Sequence, residues 1–170
     1  PLVQNENTVL GVVTVRDDSP WIGMNVGELA GIGKKDVNCS AISSLSENDA
    51  DVMIDFTLPV TLESNLQWCV DTKTPVVIGT TGLSETQLGL LDAAAQHIPI
   101  VFAANYSVGV NLMLSLVRQA ASVLGHSADI EITEAHHRFK QDAPSGTAMA
   151  IGEAIADELG RDLKTCAVYG

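Results

Sequence analysis

Residues 136–147 read HHRFKQDAPSGT and hold the densest chemistry in the sequence. The chain has 9 Lys and Arg and 4 His in all, yet His136, His137, Arg138 and Lys140 fall almost side by side. Against 21 Asp and Glu and a formal net charge of −12, a basic cluster points to an anionic ligand. Downstream, Ser145, Gly146 and Thr147 follow Pro144 at an expected helix start. Free backbone N–H groups and the helix dipole attract an anion there, and Gly146 lets a ligand come close to the backbone. Two anion-attracting features in sequence suit a small dicarboxylate, and a histidine adds a proton donor near neutral pH. The same residues also read as a solvated loop that neutralises nearby carboxylates, with Ser145 an ordinary cap. The adjacent histidines do not suggest a metal: neighbours in an extended segment point opposite ways, and no Cys or third His is placed to help.

A second cluster lies where three expected strands end. Gly79-Thr80-Thr81-Gly82, Phe56-Thr57 and Ala103-Ala104-Asn105-Tyr106 put small, polar and aromatic groups at one carboxyl edge. Glycine after a parallel strand allows close approach of a nucleotide, so together these turns suit a cofactor cleft, although each alone reads as turn chemistry. Earlier in the chain Val15-Arg16-Asp17-Asp18 ends another expected strand. An arginine there suits a 2′-phosphate, and a surface turn with mixed charges is the plainer reading. No G-x-G-x-x-G is present.

The elements that must position these residues alternate. Residues 8–15 read as a strand, 17–36 as loop with a short helix near 28–30, and 37–42 as a short strand. Residues 51–56 (DVMIDF) form an almost continuous apolar run, expected to be a buried strand. A helix should start at Pro59, with Leu62, Leu66, Cys69 and Val70 on one face. Residues 75–78 are the next strand. Ser84 and Gln87 make a capping box for a helix that turns Leu88, Leu91 and Ala95 inward. Residues 99–103 are another buried strand. This β-α-β-α-β rhythm predicts a Rossmann-like α/β parallel sheet. From 107 the pattern changes: a long helix over 107–125, an alternating strand over 129–135, a helix from near 144 to near 160, and a strand opening at 168–169. The expected division is a dinucleotide-binding domain over 1–106 and part of an α+β substrate-binding and oligomerisation domain over 107–170.

Composition sets outer bounds. The net charge of −12 repels phosphate backbones and argues against nucleic-acid binding. Hydrophobic residues at 46% suffice for a core, while no apolar run is long enough for a bilayer and no signal peptide is visible. Cys39, Cys69 and Cys166 suit neither a disulfide framework nor a zinc site, and read as small buried hydrophobes in a reducing cytoplasm. Both ends look cut: Pro1 is not an initiator methionine, the first strand lacks an earlier β-α unit, and the last residues stop as a strand begins.

The stretch EAHHRFKQDAPSGTA at 134–148 closely resembles the signature of bacterial dihydrodipicolinate reductase (4-hydroxy-tetrahydrodipicolinate reductase). GELAG at 27–31, DFT at 55–57, VIGTTG at 77–82 and FAANYSVGVN at 102–111 match in order. The resemblance implies reduction of a cyclic dicarboxylate to tetrahydrodipicolinate by NADPH or NADH, in the diaminopimelate route to lysine. It implies His136 as general acid and Lys140 as the second catalytic residue, binding a substrate carboxylate. His137, Ser145, Gly146 and Thr147 would bind substrate. Gly79, Thr80 and Thr81 would line the nicotinamide side, with Ala103, Ala104, Asn105 and Tyr106 completing the cofactor site and Arg16 at its adenosine end. A cytoplasmic homotetramer is implied for the complete enzyme.

Three departures qualify the match. The family's N-terminal strand and glycine-rich phosphate loop are not in this sequence, nor is the rest of the substrate-domain sheet. Val15 stands where an acid often precedes the arginine, which favours NADPH over NADH. Leu58 stands where some members carry a basic residue. Two other readings stay open: a non-catalytic truncated relative that binds a dicarboxylate, and another NAD(P)-dependent oxidoreductase of amino-acid metabolism.

Overall fold

The computed structural model describes residues 2–140 and 143–169. The chain divides into two compact units, Pro1–Ala104 and Asn105–Gly170. The cut falls two residues before the boundary expected from sequence.

The first unit holds two parallel ladders. Strand β1 (Val13–Val15) pairs with β2 (Cys39–Ala41), and between them lies the short helix α1 (Val26–Leu29). The second ladder has the order β3 (Met53–Asp55), β4 (Val76–Ile78), β5 (Ile100–Phe102). Helix α2 (Leu62–Thr72) connects β3 to β4, and α3 (Glu85–Ala94) connects β4 to β5. The expected β-α-β-α-β rhythm over residues 51–103 is therefore present as one parallel sheet, and β1 and β2 form a separate two-stranded ladder. In the doubly wound order 3-2-1-4-5-6 these ladders match 3-2 and 4-5-6.

The core sits on one face of the three-stranded sheet. Leu62, Leu66 and Cys69 of α2, Val76 and Ile78 of β4, and Leu91 and Ala94 of α3 close over it with Ile98. Alternation explains which strand residues join them: Val76 and Ile78 point inward, whereas Ile54, Val77 and Val101 share the opposite face in register. That face is open enough to leave Ile54 47% and Val101 56% exposed. The apolar runs at 51–56 and 99–103 are thus buried on one side only. In β3 the fully buried residue is the charged one, Asp55.

The helix starts follow local chemistry. Pro59 opens a 3₁₀ turn, Pro59–Thr61, that feeds α2. Ser84 caps α3 through the expected box with Gln87, and the Gln87 amide also donates to the Pro59 carbonyl at 2.7 Å. The inward face of α3 carries Leu91 and Ala94, not Ala95, and Leu88 is 39% exposed. Position 94 follows 91 by three residues and stays on its face, while 95 closes the helix as its C-cap.

In the second unit α4 (Val108–Leu124) starts at the Ser107 cap, and α5 (Gly146–Glu158) and α6 (Leu163–Cys166) follow. Val110, Met113, Leu114 and Val117 are half-buried and Ala121 is buried, as their spacing predicts, but Leu124 is 56% exposed. Gly125 admits Leu159: a Cβ there would strike the leucine side chain and the Ala121 carbonyl. Residues 129–135 run as unpaired backbone rather than the expected strand, and 168–169 likewise form no strand. A strand is defined by its partner, and the described residues supply none to either segment. Among the described residues no helix is long and apolar enough to cross a membrane.

Truncating Leu66 to Ala should cost about 2–5 kcal/mol in urea unfolding followed by tryptophan fluorescence, because it opens a cavity in the core. The matching Leu88→Ala change should cost under about 1 kcal/mol. Equal losses would mean that α3 packs by a different face.

Candidate active site

Residues 134–147 lead into α5. The Glu134 carboxylate spans the segment: Oε2 sits 2.8 Å from His136 Nε2, and Oε1 accepts the Ser145 backbone N–H at 2.8 Å. Ser145 is buried, and its hydroxyl accepts the Ala148 N–H at 3.1 Å as the α5 cap. The Ser145 side chain thus serves as the cap of α5. Gly146 and Thr147 are exposed, and the N–H groups of a helix's first residues have no carbonyl within the helix to meet. Open space lies where a Gly146 Cβ would be, so a ligand can reach the backbone there.

The basic residues are arranged around a turn. The Phe139 N–H donates to His137 Nδ1 at 3.2 Å, and the Lys140 N–H donates to the His137 carbonyl at 3.1 Å. Arg138 lies over the Phe139 ring at 5.9 Å. Lys140 is half-buried, whereas His136, His137 and Arg138 are exposed. Gln141 and Asp142 of the signature lie outside the described residues.

Hydrogen bonds from the Ser145 hydroxyl and N–H, and then from His136, hold the Glu134 carboxyl down to about 2 from an ordinary 4.5. An ionised carboxylate only accepts, so His136 Nε2 must carry the proton between them. Its Nδ1 is then a proton donor only when the ring is imidazolium.

The sheet-edge residues belong to the first unit. Gly79 follows β4, and its N–H donates to the Asp55 carbonyl at 2.8 Å. The Phe56 ring lies over Gly79 so closely that a Cβ would collide with it. Thr80 is 2% exposed, and its hydroxyl donates to Asp55 Oδ1 at 3.3 Å. Its side chain thus faces the protein, unlike that of the exposed Thr81. Gly82, with φ +75°, makes the turn that follows. Ala103 is half-buried beside β4, donating its N–H to the Ile78 carbonyl at 3.2 Å, and Ala104 is exposed.

Asn105 and Tyr106 open the second unit. The Asn105 side-chain oxygen accepts the Ser107 N–H at 2.8 Å, so it serves the start of α4. Tyr106 is 39% exposed. Arg16 directly follows β1, exposed and 3.5 Å from Asp18, in the other ladder from Gly79.

A half-buried glycine, small residues at parallel-strand ends and the Phe56 ring fit the flat end of a dinucleotide. Two functional groups had no role assigned from sequence, Glu134 and Asp55. Both stood inside quoted motifs. The D-x-T spacing of an Asx turn was the visible signal for Asp55. Among the cysteines, Cys39 and Cys69 are buried as expected, but Cys166 is exposed on α6. Burial, and then the Asp55 carboxylate, push the Cys69 thiol up to about 12, which leaves it an inert hydrophobe.

A carboxylate with a depressed pKa stabilises the fold above its unfolded value and loses that contribution on protonation. For Glu134 the stabilisation is complete above pH 4.5 and disappears as pH falls through about 2. Glu134→Gln should therefore lower the melting temperature near neutral pH, and thermal scans should show the gap to the parent closing between pH about 5 and about 2. A gap independent of pH would remove the ionised carboxylate from this account.

Residues 2–106 match the family model "Dihydrodipicolinate reductase, N-terminus", and residues 109–168 match "Dihydrodipicolinate reductase, C-terminus". The 4-hydroxy-tetrahydrodipicolinate reductase of Pseudoalteromonas atlantica is 61% identical over 167 residues, covering 98% of this chain and 62% of the relative. That of Alkalilimnicola ehrlichii is 58% identical over 155 residues, covering 91% and 58%. Among solved structures, the dipicolinate-bound dihydrodipicolinate reductase from Paenisporosarcina sp. TG-14 aligns with a TM-score of 0.69 and 29% identity, covering 99% of this chain and 62% of that one. The chain thus spans about three fifths of the length of the relatives it matches. Matched by both family models along nearly its whole length, it belongs to the dihydrodipicolinate reductase family.

Proposed function

We propose that the complete protein reduces 4-hydroxy-tetrahydrodipicolinate to tetrahydrodipicolinate with a reduced nicotinamide cofactor, in the diaminopimelate route to lysine. The observation that carries this reading is the fixed His136 imidazole next to a helix start with exposed N–H groups, set within the family signature. A dicarboxylate substrate suits that arrangement. Gly146 and Thr147 offer backbone donors to one carboxylate, and Lys140 and His137 offer side chains. Ser145 holds the helix start in place.

When bound, the dihydronicotinamide supplies a hydride, two electrons with one proton. Loss of the 4-hydroxyl as water leaves an unsaturated ring that takes up the hydride and one further proton, and His136 gives that proton from Nδ1 of the imidazolium. The ring returns to the neutral tautomer that bears its proton on Nε2, so the bond to Glu134 survives the transfer unchanged. Lys140 offsets negative charge on the substrate during that step. Gly79, Thr80 and Thr81 serve the nicotinamide side through their backbone, with Ala103, Ala104, Asn105 and Tyr106 beside it and Arg16 at the adenosine end. Arg16 after Val15 favours NADPH over NADH. The division near residue 106 separates a cofactor domain from a substrate domain. A cytoplasmic homotetramer completes the proposal.

The test is calorimetric titration with pyridine-2,6-dicarboxylate together with an assay of dihydronicotinamide consumption. Saturable binding should weaken in His137→Ala and Lys140→Ala, and Lys140→Ala should raise the substrate KM. His136→Ala should lower kcat about 10²–10⁴-fold with little change in cofactor affinity. Unchanged turnover in His136→Ala would remove it from the mechanism. Absence of reduction by the complete wild-type protein would overturn the assignment.

A further inference from the structure

Among the described residues of the first unit, one acidic side chain is buried: Asp55, at 2% exposure. Its Oδ1 accepts the Thr57 N–H at 2.9 Å, the Thr57 hydroxyl at 2.6 Å and the Thr80 hydroxyl at 3.3 Å. Its Oδ2 accepts from Asn65 Nδ2 at 2.8 Å. The Asp55 carbonyl takes the Gly79 N–H. Main chain and side chain of one residue thereby join the turn after β3, the turn after β4 and helix α2. Those two turns carry Phe56 and Gly79, whose close contact forms part of the sheet edge.

A core carboxylate placed only for stability would be a poor choice, because apolar groups of similar volume fill such sites at less cost. Four directional donors instead fix where the turns stand. Thr57 reaches on to Thr61 through a 2.6 Å hydroxyl contact, so the linkage extends into the 3₁₀ turn before α2. The geometry points to Asp55 as a positioning residue that locks the Phe56–Thr57 and Gly79–Thr81 turns into one rigid surface for the dihydronicotinamide. This rests on the reading of Gly79 to Thr81 as the nicotinamide side of the site.

Asn65 makes a sharp test available. Asp55→Asn places two amide groups face to face, so one donor loses its acceptor; adding Asn65→Asp restores a donor–acceptor pair with roles exchanged. Thr80→Val removes only the Thr80 hydroxyl. In the complete protein, NADPH affinity by fluorescence titration and cofactor KM should worsen about tenfold in Asp55→Asn, the size of one unsatisfied buried group. Substrate KM should change less than about twofold, and the paired variant should recover most of the loss. Thr80→Val should shift cofactor KM in the same direction by a smaller factor. Amide exchange over residues 79–82, measured without cofactor, should quicken in both single variants and slow again in the pair. A structural role alone would lower thermal stability and active fraction while leaving both KM values in place. Unchanged cofactor affinity in Thr80→Val and in folded Asp55→Asn, beside a wild type that binds NADPH, would overturn this inference alone. A wild type that binds neither NADPH nor NADH would overturn it together with the reading of the sheet edge.

Discussion

A carboxylate removed from water must be given donors, and Asp55 obtains them from three separate parts of the chain. The requirement works in both directions. Thr57, Asn65 and Thr80 must come to Asp55 for it to stay buried, and once there they set the geometry of the turns they sit on. The apolar core beneath, from Leu62 to Ile98, supplies the attraction that closes α2 and α3 over the sheet. That attraction is not directional. The polar cluster at its rim decides which way the ends of β3 and β4 face.

The second unit uses a related device without burial. Glu134 stays 29% exposed, yet it joins a histidine on its own extended segment to the first backbone N–H of the α5 cap. The segment and the helix are then held at one relative setting by a single side chain. A carboxylate at a helix start is also favoured by the dipole, so the protein's own anion occupies one donor and leaves those of Gly146 and Thr147 for an external one.

Much of this was legible because it is local. Ser84, Ser107 and Ser145 cap helices through hydroxyls acting on the next turn, and such short-range rules read directly from spacing. The parallel ladders followed from the alternation of apolar runs and helical patterns. What escaped depends on distant partners. The segment at 129–135 has strand alternation, but alternation cannot create a neighbour to pair with. Asp55 stands inside the almost continuous apolar run 51–56, which reads as a buried strand without naming the groups that would satisfy a carboxylate. Two of its donors come from Thr57 nearby, but the other two stand ten and twenty-five residues further on, at Asn65 and Thr80. The inward face of α3 was misjudged by one residue at Ala95, where the helix ends. The family signature was legible as a block, whereas the bond from Glu134 to Ser145, eleven residues away, was not.

The separation of the two ladders has an energetic consequence. Before residue 53 the buried apolar side chains are Val26 and Cys39, whereas eight such residues between Leu62 and Ile98 form the main cluster. The β1–β2 ladder shares no backbone pairing with the β3–β4–β5 ladder. Among the described residues, opening the first ladder breaks few apolar contacts, whereas opening the second breaks the main cluster. Arg16 directly follows β1 of the first ladder, and Gly79 directly follows β4 of the second. A ligand held by both would lend part of its binding free energy to holding the two ladders in place, so its occupancy and the order of the turns after β1 and β4 are thermodynamically linked.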